Sequence, residues 1–223
     1  MRVYSSIVAS SLVLMVSFFC FRAYAQVGRF STGLEIGINY SNASEETAPL
    51  KKICPVLPCA GIVVNYSMMN HFCLQSGLYY SMKGLKSEGS GNVGGLDAQN
   101  AKVTSYQHLL QLPILFGYGF NLGKQNLTFF AGPYFAYGLG GGTKATGIIN
   151  GQYFEKKSAT FGSGKILKRF DSGLNVRAIL AVNRICIGIS YELGMVNVGN
   201  RNIVGAELNY KNRVVALTTG YRF

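Results

Sequence analysis

Bulky residues alternate with small or polar ones along most of this chain. In the first clear segment Phe30, Thr32, Leu34, Ile36, Ile38 and Tyr40 fall on one side, while Ser31, Gly33, Glu35, Gly37 and Asn39 fall on the other. A period of two is what a strand with unlike faces requires. The pattern recurs over 60–67, 72–83, 106–120, 127–138, 170–181, 184–195 and 213–223, so eight strands are predicted. Their connections alternate in length. Ser67 to His71, Asn121 to Gln125 and Val182 to Asn183 are short, whereas Ser41 to Cys59, Gly84 to Ser105, Leu139 to Arg169 and Val196 to Asn212 are long.

An all-β, eight-stranded antiparallel up-and-down transmembrane β-barrel is built in this way, with short periplasmic turns and long extracellular loops. An even strand count puts both ends of the mature chain on the periplasmic side. A soluble eight-stranded cup for a small ligand shows the same alternation with its faces exchanged. The second face separates the two: Gly61, Asn65, Gln75, Gly117, Gly132, Asn175 and Gly188 suit a crowded lumen, whereas a water-facing exterior carries many Lys and Glu. On the bulky face Tyr40, Tyr66, Tyr80, Tyr118, Tyr137 and Tyr221 sit near strand ends, as the aromatic girdles of a membrane barrel do.

Composition supports lipid contact. Charged residues make up 13% of the chain, beside 28 glycines, 14 tyrosines and no tryptophan, and mean hydropathy is positive. That charged share is about half the usual one. The most apolar mature stretch, Leu109 to Phe120, is broken by Gln111, Pro113, Gly117 and Gly119, so helical spans are not expected. The first residues read as a secretory leader: Arg2, an apolar run from Ile7 to Phe21, then Ala23-Tyr24-Ala25 before Gln26. The domain reading is therefore a signal peptide over 1–25 and an outer-membrane barrel domain over 26–223. Of the formal charge of +12, Arg2 and Arg22 would leave with the leader. The remaining basic balance favours lipid phosphates or acidic glycans over nucleic acid in an exported chain.

Inward parity gathers Glu35, Lys83, Asp171, Arg177, Glu192 and Arg222. Unpaired charge in a narrow lumen is costly, so a lumen charge network of Glu35, Asp171, Arg177, Glu192 and Arg222 is expected, with Arg177 to Glu192 as its leading pair. A salt-bridged plug is favoured over an ion path, because eight-stranded barrels are filled by side chains. The third long connection carries Lys144, Lys156, Lys157, Lys165, Lys168 and Arg169 against Glu155. That is either a solvated outer loop or a contact surface for lipopolysaccharide phosphates or an acidic partner. Cys54 and Cys59 either staple their loop or remain free thiols, and Cys73 and Cys186 read as packing residues. His71 and His108 lie toward opposite ends with no evident partner, so no catalytic set, metal site or cofactor is predicted. The glycine runs at 138–142 and 162–164 lack a phosphate-loop pattern and read as mobile loop.

Four segments stand out in order: Leu74-Gln75-Ser76-Gly77-Leu78-Tyr79-Tyr80-Ser81-Met82-Lys83-Gly84, then Leu110-Gln111-Leu112-Pro113-Ile114-Leu115, then Ala131-Gly132-Pro133-Tyr134, and Tyr191-Glu192-Leu193-Gly194-Met195-Val196-Asn197-Val198. In sequence and spacing they resemble the PorT-like outer-membrane β-barrel family of Bacteroidota. The chain closes on Gly220-Tyr221-Arg222-Phe223. The resemblance covers nearly all of the mature chain. Gln111 departs from it, since such proteins often carry glutamate there.

The resemblance implies an outer-membrane address and, for the family's namesake, a part in protein secretion; most relatives have no defined activity. Tyr221 and Phe223 resemble the aromatic end that barrels present to the barrel-assembly machinery. The expected function is a non-enzymatic outer-membrane protein supporting secretion, surface assembly or adhesion through loops and turns. Its expected partners are outer-membrane lipid, lipopolysaccharide, the assembly machinery and secretion-system or surface proteins. A narrow pore and a lipid-modifying or proteolytic barrel enzyme are the competing readings.

Overall fold

Alternation produces strands whose two rows of side chains meet different surroundings, and ten such strands form one sheet. The computed structural model describes residues 30–44, 51–68, 71–93, 96–149, 152–162, 165, 167–200 and 210–223. The expected leader lies outside them. The strands are β1 (Phe30–Ser44), β2 (Lys51–Ile53), β3 (Val56–Ser67), β4 (Phe72–Val93), β5 (Leu96–Leu122), β6 (Gln125–Ile149), β7 (Gln152–Ala159), β8 (Phe170–Val182), β9 (Ile185–Gly194) and β10 (Lys211–Arg222).

The hydrogen-bonded path runs β4-β3-β1-β10-β9-β8-β6-β5, and pairing of β4 with β5 returns it to its start. Eight long strands therefore close a ring, which leaves no unpaired edge around the barrel wall. The short β2 adds to β4 and the eight-residue β7 adds to β6 outside that ring.

Tight turns join the strands at one end. Gly123 and Asn183 open the β5–β6 and β8–β9 turns with φ of 64° and 55°, the left-handed backbone that primed hairpin turns need and that Gly and Asn tolerate. His71, in the β3–β4 turn, also has positive φ.

At the other end, three of the long connections predicted as loops are partly strand. β4 and β5 continue to Val93 and from Leu96, so most of 84–105 is a hairpin. β6 runs on to Ile149 and pairs with β7, and the Ser41 to Cys59 connection contains β2 and the start of β3. The glycine run at 138–142 is likewise strand and not mobile loop, paired to β5 and in part to β7. A register shift opposite His108 and Leu109 inserts one extra residue there. This bulge resets the phase of β6, so that Thr143 is buried on the inner side.

The outer face of the ring is apolar. Leu34, Ile36, Ile38, Phe116, Phe135, Ile187, Ile189 and Leu217 are all exposed, a continuous surface that water would oppose and lipid accepts. Two aromatic belts border it. Phe72, Tyr118, Phe120, Tyr221 and Phe223 lie at the turn end, where Phe72 and Tyr118 meet edge-on at 5.1 Å and Tyr221 and Phe223 at 5.5 Å. Tyr40, Tyr80, Tyr106, Tyr137 and Phe170 lie at the loop end. Beyond that belt the outward side of the β4–β5–β6–β7 extension switches to Lys86, Glu88, Lys102, Lys144, Glu155 and Lys157. The switch marks where the wall leaves the hydrocarbon.

Candidate functional site

Inside the ring every strand contributes alternate residues to a filled lumen, and their chemistry is layered from the loop end to the turn end. On the loop side Leu85, Leu109, Tyr134, Ala136, Phe161, Leu167, Val198 and Tyr210 form one buried apolar cluster, with Gln107 donating to Tyr210 OH and Ser105, Thr143 and Thr160 hydrogen-bonded to one another toward the mouth. Phe161, Leu167 and Val198 come from the long connections, which fold inward over the mouth. The backbone holds them there, with Leu167 bridging both Phe161 and Gly199 and with Val198 N donating to Tyr210 O. Asn197 Oδ1 accepts from the backbone of Gly199 and Tyr210, both at 2.9 Å.

Beneath the cap lies Lys83 of β4, fully buried. Its Nζ is 2.8 Å from Glu192 Oε2 of β9 and 3.7 Å from Asp171 Oδ2 of β8, and it sits 4.6 Å from the centre of the Tyr134 ring. Each carboxylate has further donors. Gln111 Nε2 and Asn175 Nδ2 donate to Glu192 Oε1, and Tyr134 OH and Asn212 Nδ2 donate to Asp171 Oδ2 at 3.3 and 2.9 Å. Desolvated charge persists only when paired and hydrogen-bonded in this manner. Gln111 supplies Glu192 with a donor where an acid would have added a third negative charge.

The next layer centres on Arg177 of β8. Its guanidinium pairs with Glu35 of β1 and donates to Tyr79 OH at 3.0 Å, Gln75 Oε1 at 3.2 Å and Thr218 Oγ1 at 2.9 Å. Tyr79 OH in turn donates to Glu35 Oε2 at 3.0 Å, and Gln75 Nε2 donates to Asn65 Oδ1 at 2.7 Å. One planar fork thus ties four strands together, the use for which arginine suits better than lysine. The Tyr79 ring lies over Gly61, where a Cβ would come within 2.4 Å of it.

The expected pair of Arg177 with Glu192 does not form. The register sets Arg177 opposite Ser190 and Glu192 opposite Asn175, and in so narrow a barrel a residue across the lumen is as near as a strand neighbour. Glu192 is taken by Lys83 and Arg177 by Glu35. A second apolar layer follows, in which Leu115, Phe130, Ile179, Ala181 and Cys186 are buried with Cys73 against them. Arg222 lies below this layer at the turn end, separate from the other charges, and lines an open cavity there.

The model of the family described as "Outer membrane protein beta-barrel domain" matches residues 22–200. The chain belongs to this family. No curated protein matches it in sequence. Among solved structures this outer-membrane barrel is similar to Ail, the attachment invasion locus protein of Yersinia pestis, at 16% identity and a TM-score of 0.39, over 87% of this chain and 99% of that one. It is similar also to Neisserial surface protein A, at 12% identity and a TM-score of 0.35, over 87% and 97% of the two chains. A third is the N-terminal β-barrel domain of Pseudomonas aeruginosa OprF, at 11% identity and 0.30, over 86% and 97%.

The basic connection of this family member is less of a single patch than its sequence suggests. Lys144 and Lys157 both pair with Glu155 at 3.0 Å. Arg169 donates to the backbone oxygen of Gly138 at 2.7 Å and lies against the Phe161 ring. Lys156 and Lys168 are exposed and Lys165 is half-buried. Hydrogen bonds from Lys157 and Lys144 bring the Glu155 carboxyl down from 4.5 to about 2. A depressed carboxyl contributes to hairpin order above its ordinary titration range, and that contribution is lost as pH falls toward 2. We expect nuclear magnetic resonance titration to place the Glu155 midpoint near 2, and near 4.5 in a Lys144→Ser, Lys157→Ser double variant; equal midpoints in both proteins contradict the paired hairpin.

Cys54 and Cys59 are both free, so the staple does not form. Cys54 hydrogen-bonds Tyr40 on the exterior, whereas β3 turns Cys59 into the lumen, so the barrel wall separates the two thiols. His108 has a partner that its sequence did not reveal: Tyr80 OH lies 2.6 Å from its Nδ1 on the outer face. His71 stands 5.9 Å from the Tyr118 ring at the turn end.

Proposed function

We propose that this chain is a non-enzymatic, PorT-like outer-membrane protein of a Bacteroidota bacterium, and that it supports protein secretion or surface assembly and adhesion through its loops and turns. The observation that carries this reading is the filled lumen. Its charges, Arg222 at the turn end apart, are paired and lie between two apolar layers, which leaves the two ends of the barrel and its outer hairpins as the surfaces available for work. A narrow pore fits such an interior poorly. A barrel enzyme needs a nucleophile, base and orienting acid converging on an accessible cleft, whereas the carboxylates of this lumen are engaged with Lys83 and Arg177.

Under this reading residues 1–25 are removed on export and both mature termini face the periplasm. Tyr221 and Phe223 then offer their aromatic rings to the barrel-assembly machinery, and the exposed Lys156 and Lys168 meet lipopolysaccharide phosphates. Deletion of the gene, followed by a census of secreted and surface proteins, tests the proposal. Depletion of a defined set of cargo or surface proteins is expected; an unchanged census argues against the secretion and assembly role.

A further inference from the structure

The turn end holds a cavity of about 200 Å³ that the lumen network does not fill. Its basic groups are Arg222 and His71, its neutral polar wall includes Asn65, Ser67, Asn121 and Asn126, and no carboxylate lines it. Phe130 and Cys73 close its inner end, and both belong to the second apolar layer. The cavity is therefore a dead end that opens away from the loops.

Two of its donors stand without acceptors. Asn65 is 6% exposed, its Oδ1 accepts from Gln75, and its Nδ2 has no hydrogen-bond partner. Arg222 makes no ion pair among the described residues, since Glu35, the lumen acid of the neighbouring strand β1, is taken by Arg177. Buried donors are nearly always satisfied in folded proteins, and charge attraction strengthens where the walls are apolar. A guanidinium with no ion pair among the described residues shares this cavity with a buried amide whose Nδ2 lacks an acceptor, and no acid lines the wall, a combination that suits an anionic oxygen group.

We propose that this cavity binds a carboxylate, presented from the turn side and held between the Arg222 guanidinium and the Asn65 side-chain amide. One fixed positive charge matches a monoanion, and the planar fork of arginine matches the two oxygens of a carboxylate. A phosphate dianion would bring a second charge, for which the wall offers only the His71 imidazole. The carboxylate belongs either to a small free acid or to a peptide, and both offer the same group to the site. This site does not rest on the secretion or assembly role proposed above.

The test uses the mature protein refolded in detergent micelles, with the Asn65 side-chain amide followed by nuclear magnetic resonance. Acetate is expected to shift that resonance saturably, while chloride at equal ionic strength does not. The Arg222→Gln variant, confirmed as folded by its heat-modifiable migration, is expected to bind acetate at least about tenfold more weakly, the loss of one charge-assisted hydrogen bond. Should that variant fail to fold, the wild-type titration decides alone. A short N-acetylated peptide with a free C-terminal carboxylate that binds more tightly than acetate, while its C-terminal amide does not bind, assigns the site to a chain. Equal binding of peptide and acetate assigns it to small acids. Absence of a saturable shift, or an equal response to acetate and inorganic phosphate, overturns the proposal.

Discussion

The Lys83→Met variant will unfold at a far lower urea concentration than the parent protein, with a loss of about 3–5 kcal/mol, the usual cost of removing one partner from a buried ion pair. Methionine fills nearly the same volume, so packing changes little. What changes is charge. Asp171 and Glu192, both almost wholly buried, would face each other with only neutral donors from Gln111, Asn175, Tyr134 and Asn212. Tyr134 would also lose the cation over its ring. Combining Lys83→Met with Asp171→Asn and Glu192→Gln removes the stranded charges and should restore most of the stability. If the single variant were as stable as the parent in equilibrium unfolding from lipid vesicles, the carboxylates would not depend on Lys83.

Arg177→Met should cost a similar amount, about 3–5 kcal/mol, for a different reason. Lys83 is a point charge shared by two acids. Arg177 is a planar fork whose loss strands Glu35 and also removes donors from Tyr79, Gln75 and Thr218 on two other strands. Arg177→Lys keeps the charge and loses the fork, so it should fall between the parent and the methionine variant. Adding Glu35→Gln to Arg177→Met should recover part of the loss and leave the hydrogen-bond deficit. A lysine variant as damaging as the methionine variant would show that geometry alone matters at this position, and one without effect would show that charge alone does.

The ring of eight long strands was legible in the alternation, because lipid outside and a crowded lumen inside impose opposite demands on successive residues. Strand ends were less legible. The expected strands stop where the outward row ceases to be apolar, at Lys83 on one side of the hairpin and Tyr106 on the other. The backbone does not stop there. Leu85 and Ser87 remain buried inside while Lys86 and Glu88 stand outward, so the period of two persists and only the outer solvent changes from lipid to water.

The apolar cap was illegible for another reason. Phe161, Leu167 and Val198 lie in irregular chain and meet across long sequence separations, which no local period reports. Inward parity did identify the lumen charges, but not their pairing. Chain order suggests partners on consecutive strands, whereas the lumen brings β4 to β9 and β1 to β8. The Ala131-Gly132-Pro133-Tyr134 segment acquires a physical reason from the fold. A Cβ on Gly132 would fall 2.1 Å from the Ile114 backbone oxygen, and Tyr134 supplies the ring that the Lys83 ammonium packs against.

Paired charges between two apolar layers close the lumen. Planar-bilayer recording of the purified, refolded protein tests that claim most directly. The layered interior predicts a silent membrane in which insertion is shown independently by heat-modifiable protein recovered from it; a steady, ion-selective conductance would contradict the closed lumen and return the pore reading to first place.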